Sequence, residues 1–246
     1  MKARYLALTW GLLAASAQAA EHAGVLDWSG RVSLAMTVSG VVETVMVQPG
    51  QNVKKGDLLA ALNPALFKAG VAEARADMDR LTEEEAEAGR DLARVKELYN
   101  RTVAPTTELD AAKLRHARAV SGLAAAQARL EKARRLLAES ELRAPFDAVV
   151  LQRMAEPGLV AAAPCQPNPL FTLAHADEIL ARANLEPAQA ARVRPGAAAE
   201  VQAGGRSHKG VVRAVSIQGE MRYGIEVALP REAGLMPGLA AVIHLP

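Results

Sequence analysis

The side chains that most often carry out chemistry are scattered along this sequence. None of its histidines pairs with another at a spacing typical of a metal site or a catalytic pair. The histidines are His22, His116, His175, His208 and His244. No titratable constellation of the kind an active site requires is recognisable. The sequence therefore predicts a protein that is not an enzyme, with no catalytic residues, no cofactor and no metal ligands.

Three other features could indicate phosphate binding, metal binding or a disulfide, and each is better explained otherwise. The glycine-rich run 204–210 lacks the spacing of a phosphate-binding loop, and we interpret it as a β-turn. Methionine sulfur binds soft metal ions such as copper or silver. Met36, Met46 and Met221 are scattered, however, and we interpret them as packing residues. The single cysteine, Cys165, cannot form an intramolecular disulfide.

The first 19 residues have the organisation of a secretory signal peptide. Lys2 and Arg4 precede a short apolar stretch, and Ala17-Gln18-Ala19 is a typical cleavage site. The apolar stretch is shorter than the roughly 20 residues of an ordinary transmembrane helix; an uncleaved anchor is the alternative. Without Lys2 and Arg4 the 29 basic residues become 27, which equals the 27 acidic residues. A neutral exported chain has no field to attract nucleic acid.

Three consecutive regions differ in composition. Residues 25–63 are rich in Val and Gly, residues 64–141 in Ala, Arg, Glu and Leu, and residues 142–246 again in Val, Pro and Gly. Val favours strands, whereas Ala, Arg, Glu and Leu favour helices. The order predicts β structure, an inserted helical region, and β structure again.

The helical region contains two heptad seams, in which core positions alternate three and four residues apart. The first seam is Phe67, Val71, Ala74, Met78, Leu81, Glu85, Ala88, Leu92, Val95 and Tyr99. The second is Leu109, Ala112, His116, Ala119, Leu123, Ala126, Leu130, Ala133, Leu137 and Ser140. Glu85 interrupts the first seam, and we interpret His116 as a polar residue that marks the register of the second. Pro105 lies between the seams and disfavours helix at Ala104. The pattern predicts an antiparallel coiled-coil hairpin over residues 64–141.

The segments on either side of the predicted hairpin resemble each other. Pro49-Gly50 in residues 34–63 and Pro157-Gly158 in residues 142–174 each separate two candidate strands. Each half is too short to bury a core alone. We therefore predict that the two halves complete one small antiparallel sandwich.

Short candidate strands separated by turns continue over residues 175–246. Strands at this spacing predict a small β-barrel. Residues 20–33 are expected to form an N-terminal segment that precedes the first half of the sandwich.

This order of elements resembles the periplasmic adaptor proteins (membrane fusion proteins, HlyD-like family) of resistance–nodulation–division (RND) efflux pumps. The most specific runs are Val38-Ser39-Gly40-Val41-Val42, Val47–Leu59 and Leu142–Val150. The resemblance implies an α+β fold. Its parts are a split lipoyl-like β-sandwich, an inserted antiparallel coiled-coil α-hairpin and a small β-barrel that follows.

The resemblance also implies a function. The protein is expected in the periplasm, peripherally associated with the inner membrane, where it links an inner-membrane efflux transporter to an outer-membrane TolC-like channel. It would support export of small molecules as a homo-oligomeric ring, without a nucleic-acid partner. An adaptor of an ABC-type exporter or secretion system is one alternative. An exported coiled-coil scaffold without a transport role is another.

The family has a channel-binding motif at the hairpin tip, an Arg followed by a Leu and a Ser. Arg94 and Leu98 match its first two positions, and Pro105 occupies the third with Thr106 beside it. We expect these four residues to contact the channel. Family members often have a membrane-proximal domain after the barrel. Because the sequence stops at Pro246, we expect this domain to be absent or vestigial and the barrel to contact the transporter.

Overall fold

The computed structural model of the protein describes residues 20–162, 168–218 and 222–245. The predicted signal peptide, Cys165 and Met221 lie outside these residues. The described elements are, in chain order, β1 (Ala20–Trp28), β2 (Val32–Leu34), β3 (Gly40–Val45), β4 (Asn52–Val53), β5 (Leu58–Leu62), α1 (Ala65–Asn100), α2 (Thr106–Glu139), β6 (Glu141–Arg143), β7 (Ala148–Arg153), β8 (Val160–Ala161), β9 (Phe171–His175), β10 (Glu178–Leu185), α3 (Pro187–Ala190), β11 (Ala198–Ala203), β12 (Arg206–Gln218), β13 (Arg222–Pro230) and β14 (Ala240–Leu245). They form two compact units, one of residues 31–174 and one that combines the segments before and after it.

The first unit contains a sandwich of two four-stranded sheets, ordered β2-β9-β7-β4 and β6-β5-β3-β8. Each sheet combines strands from both sides of the helical region, since β4 pairs with β7 and β3 pairs with β8. The core between the sheets buries Val42, Leu59, Val150 and Phe171, each exposed by 1% or less. The prediction that two halves complete one sandwich is confirmed.

The two halves meet through equivalent Pro-Gly turns. The N–H of Gly50 donates to the carbonyl of Val150 at 2.7 Å, and Val150 donates back to the residue after Gly50 at 3.0 Å. In the other half Gly158 donates to Val42 at 2.8 Å, and Val42 donates back to the residue after Gly158 at 2.8 Å. Both glycines have positive φ, 85° and 89°, which other residues rarely adopt. Each half thus satisfies buried backbone groups of the other.

The helices α1 and α2 form an antiparallel hairpin whose buried faces are the predicted seams. Every residue of the second seam is buried or half-buried, and in the first seam only Tyr99 is exposed. Small side chains are among the most buried seam residues: Ala112 and Ala126 are 0% exposed, and Ala119 is 7% exposed. The heptad pattern therefore identified the contact between the helices, except at Tyr99.

The sandwich holds the two ends of the hairpin side by side. Strand β5 precedes α1 and β6 follows α2, and these two strands pair antiparallel. The N–H of Leu62 donates to the carbonyl of Ser140 at 2.9 Å. Ser140 is buried, and its hydroxyl donates to the carbonyl of Leu137 at 2.7 Å. The base of the hairpin is therefore fixed by the sheet.

The second unit is a closed barrel ordered β1-β10-β13-β12-β11-β14. The expectation of a separate segment over residues 20–33 is wrong for Ala20–Trp28, because this strand pairs with both β10 and β14. Without β1, those two strands would each leave an edge of unpaired backbone groups. The sequence did not reveal this role because both partner strands lie at the other end of the chain.

The barrel repeats the Pro-Gly connection of the sandwich. Gly196 donates to the carbonyl of Val212 and Gly238 to that of Leu26, both at 2.8 Å. Their φ values are 89° and 91°, and Val212 and Leu26 are each 1% exposed. Strand β1 therefore occupies, in one half of the barrel, the place that β12 occupies in the other.

Candidate docking tip of the helical hairpin

The tip of the hairpin is a tight turn that ends α1. The N–H of Thr102 donates to the carbonyl of Tyr99 at 2.9 Å, and that of Val103 to the carbonyl of Leu98 at 3.0 Å. These two bonds define a Schellman motif, in which one residue takes the left-handed conformation. That residue is Thr102, with φ of 62°. Glycine is usual at this position, and a β-branched residue is strained there.

The structure places the four predicted tip residues at two levels. Leu98 is half-buried in the last turn of α1, while Pro105 and Thr106 are exposed at the start of α2. These three residues flank the turn. Arg94 lies one helical turn further from it, hydrogen-bonded to Asp91, with 74% of its side chain exposed. Channel binding by this set stays a prediction.

Sequence reasoning missed Val103, which lies in the turn and is 70% exposed. An apolar residue beside a proline turn, where polar residues are usual, is the signal that could have identified it. Beneath the turn the two helices form a small apolar cluster of Leu92, Val95, Leu109 and Ala112. The exposed valine is therefore presented on packed helix ends.

Two ion pairs join the helices along one flank of the hairpin. Asp77 pairs with Arg129 at 2.5 Å, and Asp91 pairs with Arg115 at 2.8 Å. They are two heptads apart on both helices, as an antiparallel coiled coil requires. The hydrogen bond from Arg80, with a smaller effect of Arg129, holds the pKa of the Asp77 carboxyl below its ordinary value.

The interruption of the first seam meets the histidine of the second. Glu85 Oε1 lies 3.2 Å from His116 Nε2, and each side chain is 31% exposed. Gly89 lies beside the ring, and a Cβ added there would be at ordinary van der Waals distance from it, 3.7 Å. Polar residues within a seam can specify its register. The register role of His116 stays a prediction, and Glu85 is its partner in the structure.

Among the residues that the structure describes, no group of three or more His, Cys, Asp or Glu is arranged to hold a metal ion. Within the same ranges none of the helices combines the length and the apolar composition of a membrane span. The hairpin instead offers two kinds of surface for contacts, an apolar tip and charged flanks.

Comparison with known proteins identifies a family. A family model described as "CzcB-like, barrel-sandwich hybrid domain" matches residues 31–174. Multidrug resistance protein MdtA of Escherichia coli O7:K1 is 30% identical over 135 residues, which are 55% of this chain and 32% of that protein. MdtA of Cronobacter turicensis is 32% identical over 124 residues, 50% of this chain and 30% of that protein. The chain thus spans about a third of the length of the curated relatives it matches.

Solved structures share the architecture. A MacA–MexA chimeric protein that contains the Pseudomonas aeruginosa MexA α-hairpin domain aligns with a TM-score of 0.72 at 19% identity, over 92% of this chain and 80% of that chain. The membrane fusion protein Spr0693 of Streptococcus pneumoniae R6 aligns with a TM-score of 0.66 at 13% identity, over 92% and 98% of the two chains. At these identities the likeness shows the fold. The predicted architecture of sandwich, inserted hairpin and barrel is confirmed.

Proposed function

The chain belongs to the CzcB-like barrel-sandwich hybrid family of periplasmic adaptor (membrane fusion) proteins, and from this premise we propose that it links an inner-membrane efflux transporter of the RND type to an outer-membrane TolC-like channel. It acts in the periplasm, peripherally associated with the inner membrane. Several copies form a ring, and small molecules pass through it without chemical change. The barrel contacts the transporter, and the hairpin tip contacts the channel.

The observation that carries this proposal is the insertion of helices of 36 and 34 residues between the halves of one sandwich. At 1.5 Å per residue each helix is roughly 50 Å long. The two helices bury few side chains between them, and in α1 only Val95 is buried. A hairpin of this length, with so small a buried cluster of its own, carries its tip far from the sheet, where the tip can contact a second protein.

The tip has the chemistry of a protein contact. Val103 provides an exposed apolar side chain, Leu98 and Pro105 add apolar surface beside it, and Thr106 and Arg94 provide hydrogen-bond donors. Small apolar patches with a polar rim are typical of interfaces between proteins. The efflux role is supported by the similarity to MdtA, a protein named for multidrug resistance.

Photo-crosslinking in cells tests the contact at the tip. A photoreactive amino acid replaces Val103, and the captured protein is identified by mass spectrometry. The matched control replaces Leu66, which is 85% exposed but lies at the base of α1. We expect an outer-membrane channel to be captured from position 103 and not from position 66. Capture of only inner-membrane or soluble proteins from position 103, with the variant exported, would contradict channel docking.

The class of transporter requires its own probe. Ile217 on β12 is 71% exposed on the barrel, so a photoreactive residue there samples a partner of the second unit. Capture of an RND transporter is the expected result. Capture of an ABC-type exporter would replace the RND assignment and leave the adaptor role intact.

A further inference from the structure

The predicted start of the mature chain has an order of residues that can bind a metal ion. Cleavage after Ala19 makes Ala20-Glu21-His22 the first three residues. A free amine with a histidine at the third position offers four nitrogens in succession. They are the amine, the main-chain nitrogens of the second and third residues, and the imidazole Nδ1. The chelate rings between them are small and unstrained, so all four can surround one ion in a plane.

A square plane of nitrogens favours particular ions. Cu²⁺ and Ni²⁺ prefer this geometry, and Cu²⁺ forms the more stable complexes of the two. Zn²⁺ prefers a tetrahedron, which four coplanar nitrogens do not provide. Only one of the four ligands is a side chain. A chain without a cluster of metal-binding side chains can therefore still carry such a site.

The first residues of β1 are held on one side only. Strand β1 pairs with β14 from Ala20 to Val25, whereas its pairing with β10 begins at Gly24. From Gly24 to Trp28 the pairing with β10 continues, and Leu26 also exchanges main-chain hydrogen bonds with Leu239 and Gly238. The first three residues can therefore leave the sheet while the rest of β1 still closes the barrel.

The side chain of His22 is placed unfavourably in the folded barrel. It is 7% exposed, and its Nε2 has no hydrogen-bond partner among the described residues. A buried polar atom without a partner loses the hydrogen bond that water gives it in the unfolded chain. Release of His22 restores that bond, which makes the start of β1 easier to detach.

The strand and the metal site exclude each other. Successive N–H groups of a strand point to opposite edges, so the main-chain nitrogens of Glu21 and His22 cannot face one ion while β1 is intact. His22 also lies opposite Ile243 of β14, and the metal site would break this pairing. An ion that binds these nitrogens must therefore detach the first three residues from β14.

We propose that Ala20-Glu21-His22 binds one Cu²⁺ through these four nitrogens and that the ion releases the start of β1 from β14. On binding, the terminal ammonium group and the two main-chain N–H groups each lose a proton to solvent. The neutral imidazole donates a lone pair, and the copper keeps its oxidation state. This site goes beyond the proposed function. It depends on export and cleavage, and not on the transporter or the channel.

The test uses the chain purified from the periplasm after export. Its intact mass should show Ala20 as the first residue, and a different first residue would overturn the proposal. Titration with Cu²⁺ should give the visible absorption of a square-planar complex and an electron paramagnetic resonance spectrum with splitting from four nitrogens. Excess Zn²⁺ should not displace the ion. A spectrum without four nitrogens, or displacement by Zn²⁺, would contradict the site.

The position of the histidine is tested without removing any residue. One extra alanine before Ala20, checked by intact mass, moves His22 to the fourth position and should raise the Cu²⁺ dissociation constant by about a hundredfold or more. Glu21→Pro should cause a similar loss, because proline has no N–H to give up as a ligand. Glu21→Ala is the matched control and should bind like the parent. Equal binding by the extended chain and the parent would overturn the proposal.

Hydrogen exchange tests the release of the strand. Bound Cu²⁺ should speed exchange at the end of β14, which faces the detached residues, and leave β10 unchanged. His244 lies opposite Glu21, and its Nε2 also lacks a partner among the described residues. His244→Ala should nevertheless bind Cu²⁺ like the parent. Unchanged exchange in β14, or loss of the four-nitrogen spectrum in His244→Ala, would place the ion on the intact sheet and overturn the release.

Discussion

The sandwich and the hairpin belong to one compact unit but are stabilised in different ways. The sandwich encloses large apolar side chains such as Leu59 and Phe171, both 0% exposed. The hairpin has mostly half-buried seam residues, and three of the five buried residues of α2 are alanines. Burial of apolar area is therefore the main stabilising term in the sandwich. Helix propensity, close contact of small residues and ion pairs have a larger share in the hairpin.

The difference follows from what each region must leave free. The sandwich buries its apolar side chains between its two sheets. Its halves are joined by backbone hydrogen bonds at Gly50 and Gly158, so it provides a fixed base for the hairpin. The hairpin leaves Val103, an open groove between α1 and α2 beside Gly122, and most of its charged side chains accessible. A two-helix element that buried all its apolar surface in itself would have none left for a partner.

The largest expected effect is the loss of a ring from the sandwich core. Phe171→Ala should destabilise the unit by about 3–5 kcal/mol, because it leaves a cavity among fully buried neighbours. Leu123→Ala in the half-buried seam should cost only about 1 kcal/mol, since less area is lost from contact. Urea unfolding followed by circular dichroism measures both. Equal losses would show that burial dominates in the hairpin as well.

A smaller effect is expected from adding volume to the hairpin seam. Ala126 is 0% exposed, so Ala126→Leu should force the helices apart and cost about 1–3 kcal/mol. Ala128→Leu on the exposed face of the same helix is the matched control and should be nearly neutral. Hydrogen exchange of α1 and α2 reports the loosening. Unchanged exchange in Ala126→Leu would mean that small residues are not what brings the helices together.

Much of this architecture could be predicted from local pattern. The heptad seams identified the facing surfaces of α1 and α2 because the heptad spacing can be recognised in the sequence of each helix alone. The repeated Pro-Gly turns identified the two halves of the sandwich. The barrel role of Ala20–Trp28 could not be found in this way, because closure depends on strands β10 and β14 at the far end of the chain.

The candidate site was predicted less completely. The family motif placed Arg94, Leu98, Pro105 and Thr106 near the tip, but the left-handed conformation of Thr102 contradicts its residue type and had no local signal. Side-chain pairs between the helices could not be predicted either. In the sequence Glu85 only interrupts one seam, whereas in the structure His116 lies opposite it. Properties that depend on two elements at once require the structure.

Replacing glycine by alanine should have opposite effects on stability in the sandwich and in the hairpin. Gly158 has a φ of 89°, so Gly158→Ala should cost the sandwich about 1–2 kcal/mol through backbone strain. Gly70 lies within α1, and a Cβ added there meets nothing within 4 Å. Gly70→Ala should therefore stabilise the hairpin by about 0.5–1 kcal/mol. Thermal unfolding of the two variants beside the parent measures both signs. A loss in Gly70→Ala would indicate that the half-buried helix surface at this position packs too closely for a methyl group.

The smallest expected effect is the response to acid, which extends the comparison to the barrel. His22 on β1 is 7% exposed, and its Nε2 has no hydrogen-bond partner among the described residues. Burial lowers the pKa of this imidazole below its ordinary value of 6.5. The unfolded chain therefore binds a proton at a pH where the folded barrel does not. Stability from this site is complete above about pH 6.5 and declines as the pH falls toward the lower folded pKa.

The hairpin should respond only at more acidic pH. The pKa of Asp77 is lowered from its ordinary value of 3.8, chiefly by the hydrogen bond from Arg80. Stability from this carboxylate is present above about pH 4 and is lost as the pH falls through the folded pKa. Hydrogen exchange between about pH 7 and pH 3 separates the regions, with His22→Leu and Asp77→Asn as the matched variants. In the parent, β1 should lose protection first and the hairpin later, and His22→Leu should remove only the first step. If β1 and the hairpin lost protection at the same pH, the two units would unfold as one. The pH responses of His22 and Asp77 would then not be independent of each other.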